Sequence, residues 1–233
     1  MHYSNQHIEL CLENPGSVFR GLTSREKEMI GQHHSLVHYK KGQLIIRDGE
    51  KARGLIFLAA GKVKVFKVGV GGREQILKMV KQNGIIGYRT LISESSHSVS
   101  AEAVEDSVVC IIDKGILVKL LKKNADLSYR FMKIITEDLV FLGNRTVSLT
   151  QKHIRGRVAE SLLVLREIYG TEPDGRTIKV LLSREDIASL SNMTTSNAIR
   201  TLSNLAAEGV IEMQGRKIRI LDLKILDRIS ELG

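Results

Sequence analysis

The chain lacks, first, any long apolar run: nothing in its 233 residues approaches the roughly 20 apolar positions that a helix needs to cross a bilayer. A helical membrane protein is thereby excluded. Its start, MHYSNQHIEL, has neither the basic residues nor the apolar stretch of a secretory signal, and a cytoplasmic location is expected. Cysteine is scarce. Cys11 and Cys110 stand far apart with no CxxC pair, which excludes a zinc or iron–sulfur centre built on cysteine and gives no reason to expect a disulfide in a reducing compartment. Catalytic motifs are missing as well: there is no GxSxG, no HExxH, no P-loop and no glycine-rich fingerprint after a strand. GVGGR at residues 69–73 follows a strand-like run but leads into REQILKM, which alternates like a second strand, so it reads as a hairpin turn. With no nucleophile, base or metal cluster assembled, the chain is not read as an enzyme.

What is present is ordinary globular composition, 42% hydrophobic and 26% charged, with a net charge of +9. A surplus of that size suggests a polyanionic partner. From Gln151 onward, however, Lys and Arg outnumber Asp and Glu only 13 to 11, so charge alone does not single out the C-terminal part.

From about residue 36 to 112, short apolar runs are punctuated by glycine, with Gly42, Gly49, Gly61, Gly71, Gly72 and Gly84 each about one turn apart. Such spacing predicts an antiparallel sandwich or barrel. KVKVFKV alternates, placing Val63, Val65 and either Phe66 or Val68 inward. After Asp113 glycine thins out and the period becomes helical. A short helix is expected over 114–121, a long one over about 125–149 and a third over 155–169. On the long helix, Phe131, Ile135, Leu139, Leu142 and Leu149 make one stripe; Leu127, Ile134 and Phe141 make another. One stripe docks a helix on its own domain, and the second calls for a partner, most economically a second copy in a coiled-coil dimer.

The text from 183 to 209, SREDIASLSNMTTSNAIRTLSNLAAEG, reads as two short helices around a tight turn at Asn192-Met193. Ser183 caps the first, with Asp186 three residues on, and Thr194 caps the second. Ile187 and Leu190, then Ala198, Leu202 and Leu205, form the inner faces; Gly209 ends the pair. Thr195, Ser196, Asn197 and Arg200 are left outward at the N-terminal half of the second helix. A helix N-terminus suits phosphate. Small polar side chains there can approach base edges in a major groove, and an arginine one turn on can bind guanine bidentately. The following VIEMQGRKIRIL predicts a two-stranded wing carrying Arg216, Lys217 and Arg219.

This order of β-roll, long helix and winged helix–turn–helix resembles the cyclic-AMP receptor protein/FNR superfamily of bacterial transcription regulators, most specifically in GRVAESLLVL (156–165) and in the stretch 182–220. The resemblance implies an α+β chain of three parts: a jelly-roll-like sensor domain over 1–124, a dimerisation helix over 125–152 and a DNA-binding domain over 153–233. It implies a homodimer on an inverted-repeat DNA site and contact with RNA polymerase, as activator or repressor. Arg200 falls at the family's guanine-reading position, and Thr195 and Ser196 at variable base-reading positions. Ser183, Arg184, Thr194 and Asn197 would contact phosphate, with Arg216 and Lys217 on the wing.

The sensor half departs from the family's nucleotide cassette. There, a glutamate after glycine holds ribose and an arginine before serine neutralises the cyclic phosphate. Here Gly87 and Ser98 remain, but Tyr88 and His97 replace the charged pair, and Leu142 stands where a hydroxyl residue would meet the base. Arg89 could offer a substitute cation, but strand alternation would turn it to the opposite face. Losing a charge-assisted phosphate contact removes about 1.5–3 kcal/mol per hydrogen bond, so the expected effector is not cyclic AMP. It is a different small molecule, or none, the β-roll then serving only dimerisation or polymerase contact. Among the superfamily's other effectors, an iron–sulfur cluster needs cysteines that are missing. Haem stays open without an assembled ligand set: His33, His34 and His38, with His2 and His7 upstream, read as an exposed run whose strand geometry separates the rings. Cys110, inside VVCII, reads as a small core residue.

Overall fold

The computed structural model describes residues 8, 9 and 11–232; His2 and His7 lie outside them. Two compact units result, one of Met1–Lys67 with Val80–Val140, the other of Val68–Met79 with Phe141–Gly233.

In the first unit, α1 (Ser24–Gln32) is started by a capping box in which Thr23 and Glu26 satisfy each other's backbone amides. The strands β1 (His34–Tyr39), β2 (Leu44–Ile46), β3 (Gly54–Ala60), β4 (Lys62–Val68), β5 (Glu74–Lys81), β6 (Ile85–Ile86), β7 (Ser100–Ala103) and β8 (Ser107–Asp113) form two four-stranded sheets, ordered β1-β8-β3-β6 and β2-β7-β4-β5. The antiparallel sandwich read from the sequence is therefore present. The strand GLIFLAA does not alternate because both its faces are covered. Ile56 and Leu58 pack with Val63, Val65 and Ala101 of the other sheet. Leu55, Phe57 and Ala59 point the other way, into a cluster with Ile30, Leu117, Leu120, Leu127 and Phe131 of the helices. Gly61 turns β3 into β4 at φ +96°, and a Cβ there would stand 2.2 Å from the Ser107 hydroxyl, so only glycine fits.

One open alternative is settled here, and one expectation, of a strand after Gly87, is corrected. On β4, Phe66 is buried and Val68 is half exposed, while Lys64 is buried as well, its ammonium 3.3 Å from Glu102 and 5.3 Å from the Phe66 ring centre. Residues following Gly87 form a helix, α2 (Tyr88–Ser93), not a strand. Helical geometry, not strand alternation, separates Arg89 from Tyr88.

Helix α3 (Lys114–Lys123) is capped by Asp113, and Asn124 caps the 27-residue α4 (Ala125–Gln151) through a 2.9 Å bond from the Leu127 amide. Leu127 and Phe131, the first members of the two stripes, are both buried, whereas Leu139 is 69% exposed. The large apolar side chains left open on α4 are Tyr129, Met132, Leu139, Val140 and Val147, of which Leu139 alone belongs to a stripe. Two stripes that looked separate by their steps lie about 90° apart on the helix and, Leu139 at their edge excepted, share one side, opposite this open line.

The second unit, besides residues 68–79 with most of β5, holds the end of α4, α5 (Ile154–Tyr169), α6 (Arg184–Leu190), α7 (Thr195–Ala207), the hairpin β9 (Ile211–Gln214) and β10 (Lys217–Ile220), and α8 (Leu223–Leu232). Val158, Ala159, Leu162 and Leu165 of α5 are buried, as is Leu226 of α8. Among the described residues no helix is long and apolar enough to cross a membrane.

Candidate nucleic-acid interface

Helix α6 begins where the sequence says it should. Ser183 accepts from the Asp186 amide at 2.9 Å while Asp186 accepts from the Ser183 amide at 3.1 Å, satisfying two donors that a helix start leaves open. The turn to α7 passes through Asn192 at φ +51°, a residue type that tolerates this region. Thr194 caps α7, its hydroxyl 3.3 Å from the Asn197 amide. Gly209 ends α7 at φ +73°, with the Val210 amide reaching back to the Leu205 carbonyl. Ile187, Ala188, Leu190, Ala198, Leu202 and Leu205 are all buried between the two helices and their neighbours.

A buried cation sets this pair on its scaffold. Arg145, near the end of α4, donates to the Ser161 hydroxyl at 3.1 Å and to the Leu190 carbonyl, and stands 3.6 Å from Glu160. Burial lowers its pKa and Glu160 works against that. Ser191, wholly buried, completes the knot through Ser161 at 2.9 Å. Nothing in the local sequence marks Arg145, since its partners lie 16 and 45 residues away.

Outward from this scaffold, Thr194, Thr195, Ser196 and Arg200 are exposed. Asn197 is half-buried, and its carbonyl oxygen accepts from Arg200 at 3.0 Å, which aims the guanidinium along the helix. Arg216 and Lys217 are exposed at the wing tip beside Gly215. The remaining expected contacts are occupied internally. Arg184 donates to the Gly215 carbonyl at 2.8 Å and so braces the wing, and Ser183 is held by its capping box. Arg219 lies 3.2 Å from Glu212 and 3.6 Å from Asp174. Asp174, held by the Thr177 hydroxyl and the amides of Thr177 and Arg176, has its pKa lowered to about 2. Cations and hydroxyls that brace look, in the sequence, like those that project; only the fold separates them. Ile199, which the sequence reading passed over, is also exposed on α7.

In the first unit, Gly87 caps α2 at φ +83° and packs close to His97. Tyr88 is buried, and its hydroxyl donates to Asp138 of α4. His97 is buried too, with Nδ1 3.1 Å from the Thr90 hydroxyl; burial pushes its pKa down, against the pull of Glu50. Arg89 and Ser98 are exposed. Of the expected cluster of Gly87, Tyr88, Arg89, His97, Ser98 and Leu142, the first unit brings Gly87, Tyr88 and His97 together, while Leu142 belongs to the second unit. A cavity of about 200 Å³ opens beside His97, lined also by Tyr39, Ile46, Glu50, Lys51 and Arg53. His34 and His38 lie on β1, whose rise of about 3.3 Å per residue keeps their rings apart. Cys11 and Cys110 are buried in one apolar cluster, where contact with Cys110, together with burial, pushes the Cys11 thiol up.

Comparison with known proteins places both halves. The model of the cyclic nucleotide-binding domain matches residues 36–124, and that of the Crp-like helix-turn-helix domain matches residues 156–229. A CRP-like cAMP-activated global transcriptional regulator of Mycobacterium tuberculosis is 23% identical over 91% of this chain and 95% of its own length. The chain belongs to the cyclic-AMP receptor protein/FNR superfamily of transcription regulators. An anaerobic regulatory protein of Bacillus subtilis is 28% identical over 75% of this chain and 74% of its own length. The solved structure of FixK2 from Bradyrhizobium japonicum superposes with a TM-score of 0.76 at 24% identity, over 84% of this chain and 97% of that one. As a member of this superfamily, the chain is a DNA-binding transcription regulator with an α+β fold, and the relatives it matches are named as regulators, not enzymes.

Proposed function

We propose that this superfamily member works as a homodimer, paired through the open apolar line of α4, that reads an inverted-repeat DNA site in the cytoplasm and adjusts transcription through contact with RNA polymerase. The observation that carries the proposal is the exposed tip of α7. Thr194, Thr195, Ser196 and Arg200 project from a helix start whose amide dipoles favour phosphate, and Arg216 and Lys217 project from the wing. In this reading Arg200 takes guanine, Thr195 and Ser196 approach base edges, and Thr194, Arg216 and Lys217 meet phosphate. Ser183 and Arg184 serve the interface by position, Arg184 by holding the wing turn.

The effector in this reading is not a cyclic nucleotide. Tyr88 occupies the sugar-binding position and spends its hydroxyl on Asp138, while His97, held neutral by burial, offers no charge to a cyclic phosphate. The same Tyr88–Asp138 bond favours a second reading, in which the β-roll binds no ligand and serves only pairing or polymerase contact.

Salt dependence of DNA binding tests the interface. Each phosphate contact contributes about 0.9 to the slope of log affinity against log salt. In a dimer every wing cation occurs twice, so Lys217→Gln is expected to lower that slope by about 2, uniformly across DNA sequences. An unchanged slope for both Lys217→Gln and Arg216→Gln would remove the wing from the interface.

A further inference from the structure

Helix α7 buries Ala198, Thr201, Leu202 and Leu205, and its opposite face carries, besides the small Ala207, one large apolar side chain among polar ones. Ile199, 47% exposed, stands among Thr195, Ser196, Arg200 and Ser203 on that face. At 100° per residue it lies one turn beyond Thr195, rotated by only about 40°, and about 60° from Ser196. A single exposed apolar side chain is unremarkable on a protein surface at large. This one sits within a cluster of hydroxyls and cations that is otherwise matched to a polyanion. It is also β-branched, so its χ1 is essentially fixed in a helix and its methyl groups point in a set direction.

We infer that Ile199 is a specificity-determining residue that reads the C5-methyl group of a thymine in the major groove. The inference rests on the DNA-reading role of α7. Thymine is the base that offers an apolar group on the major-groove edge, and an aliphatic side chain discriminates there by contact where hydroxyls and arginine discriminate by hydrogen bonds. Water leaves both the Ile199 tip and the thymine methyl when they meet, and uracil, identical but for that methyl, forfeits the gain. Removing one methyl from such a contact weakens binding about fourfold per half-site. Ile199 and Arg200 are consecutive residues with Cα atoms about 3.8 Å apart, close to one base-pair step. The thymine therefore lies within about two base pairs of the guanine that Arg200 reads.

The test uses the full-length protein and a duplex recovered by selection from random-sequence DNA, with each thymine replaced singly by uracil. Wild-type protein is expected to lose about fourfold at one thymine position per half-site, beside the guanine, and about fifteenfold when both half-sites are replaced. Ile199→Ala, at an exposed helical site where alanine is a better helix former, should bind the thymine and uracil duplexes alike and keep its guanine preference. Arg200→Ala should do the reverse, losing the guanine preference and keeping the thymine-to-uracil ratio. Equal wild-type affinity for thymine and uracil at every position, or an Ile199→Ala variant that keeps the ratio, would overturn the role of Ile199 while leaving DNA binding standing. A wild-type protein that recovers no preferred duplex at all would instead overturn the role of α7 on which this one rests.

Discussion

Beside the cavity of the first unit, His97 has its backbone amide bonded to the Glu50 carbonyl and its ring held by Thr90. Its charged form is disfavoured by burial, so its pKa in the folded protein lies below the usual value of about 6.5. The unfolded chain therefore takes up a proton near pH 6.5 that the folded chain resists. The contribution of this residue is fully present above that pH and is lost as pH falls through the lowered value. The melting temperature of wild-type protein should drop between pH 7.5 and pH 5.5 by more than that of His97→Asn, which has no such proton to take up. Parallel melting curves for the two proteins across that range would contradict the placement of a neutral, buried His97. Tyr88 stands in a similar position: its identity could be read as a departure from the nucleotide cassette, but its bond to Asp138, fifty residues on, could not.

Among the elements, the helix–turn–helix was the most legible, because its determinants are local. Caps at Ser183 and Thr194, the turn at Asn192, the stop at Gly209 and a buried face at steps of three and four all act within a few residues. Less legible were elements whose surroundings come from far along the chain. Strand β3 hides its alternation because helices cover its second face, and α2 gives no helical signal because its six residues carry no side-chain cap. Which face of α4 stays open is not legible, because steps of three, four and seven do not say which side the β-roll covers. Ser183 and Arg184, expected to meet phosphate, are also engaged internally, by a capping box and by a partner 31 residues away. Whether the cap is the whole role of Ser183 is testable on the element itself. Ser183→Ala should cost about 1 kcal/mol of unfolding free energy through loss of the cap, while leaving the salt slope of DNA binding unchanged. A lowered slope with unchanged stability would restore the phosphate role.

For the whole molecule, the charge distribution and the interface tell different stories. The surplus of basic residues lies mainly before Gln151, yet the exposed cations arranged around a helix start lie after it. Net charge thus supports association with a polyanion in general, and the exposed tip of α7 is where the specificity is proposed to lie. A single tip offers a few base contacts; two tips held about one DNA turn apart, roughly 34–36 Å, read twice as many and impose symmetry on the site. The line Tyr129, Met132, Leu139, Val140 and Val147 on α4 is the apolar surface through which such pairing is proposed. The most direct measurement is therefore selection of bound duplexes from random-sequence DNA, run side by side with wild-type protein and Leu139→Asp, a change at an exposed position that spares the core of each unit. The account predicts an enriched inverted repeat for the wild type, its half-sites centred about 10–10.5 base pairs apart or a multiple of that, and no enrichment for a folded, monomeric Leu139→Asp. Recovery of an unpaired site, of no preferred sequence, or of the same repeat by a monomeric variant would contradict it.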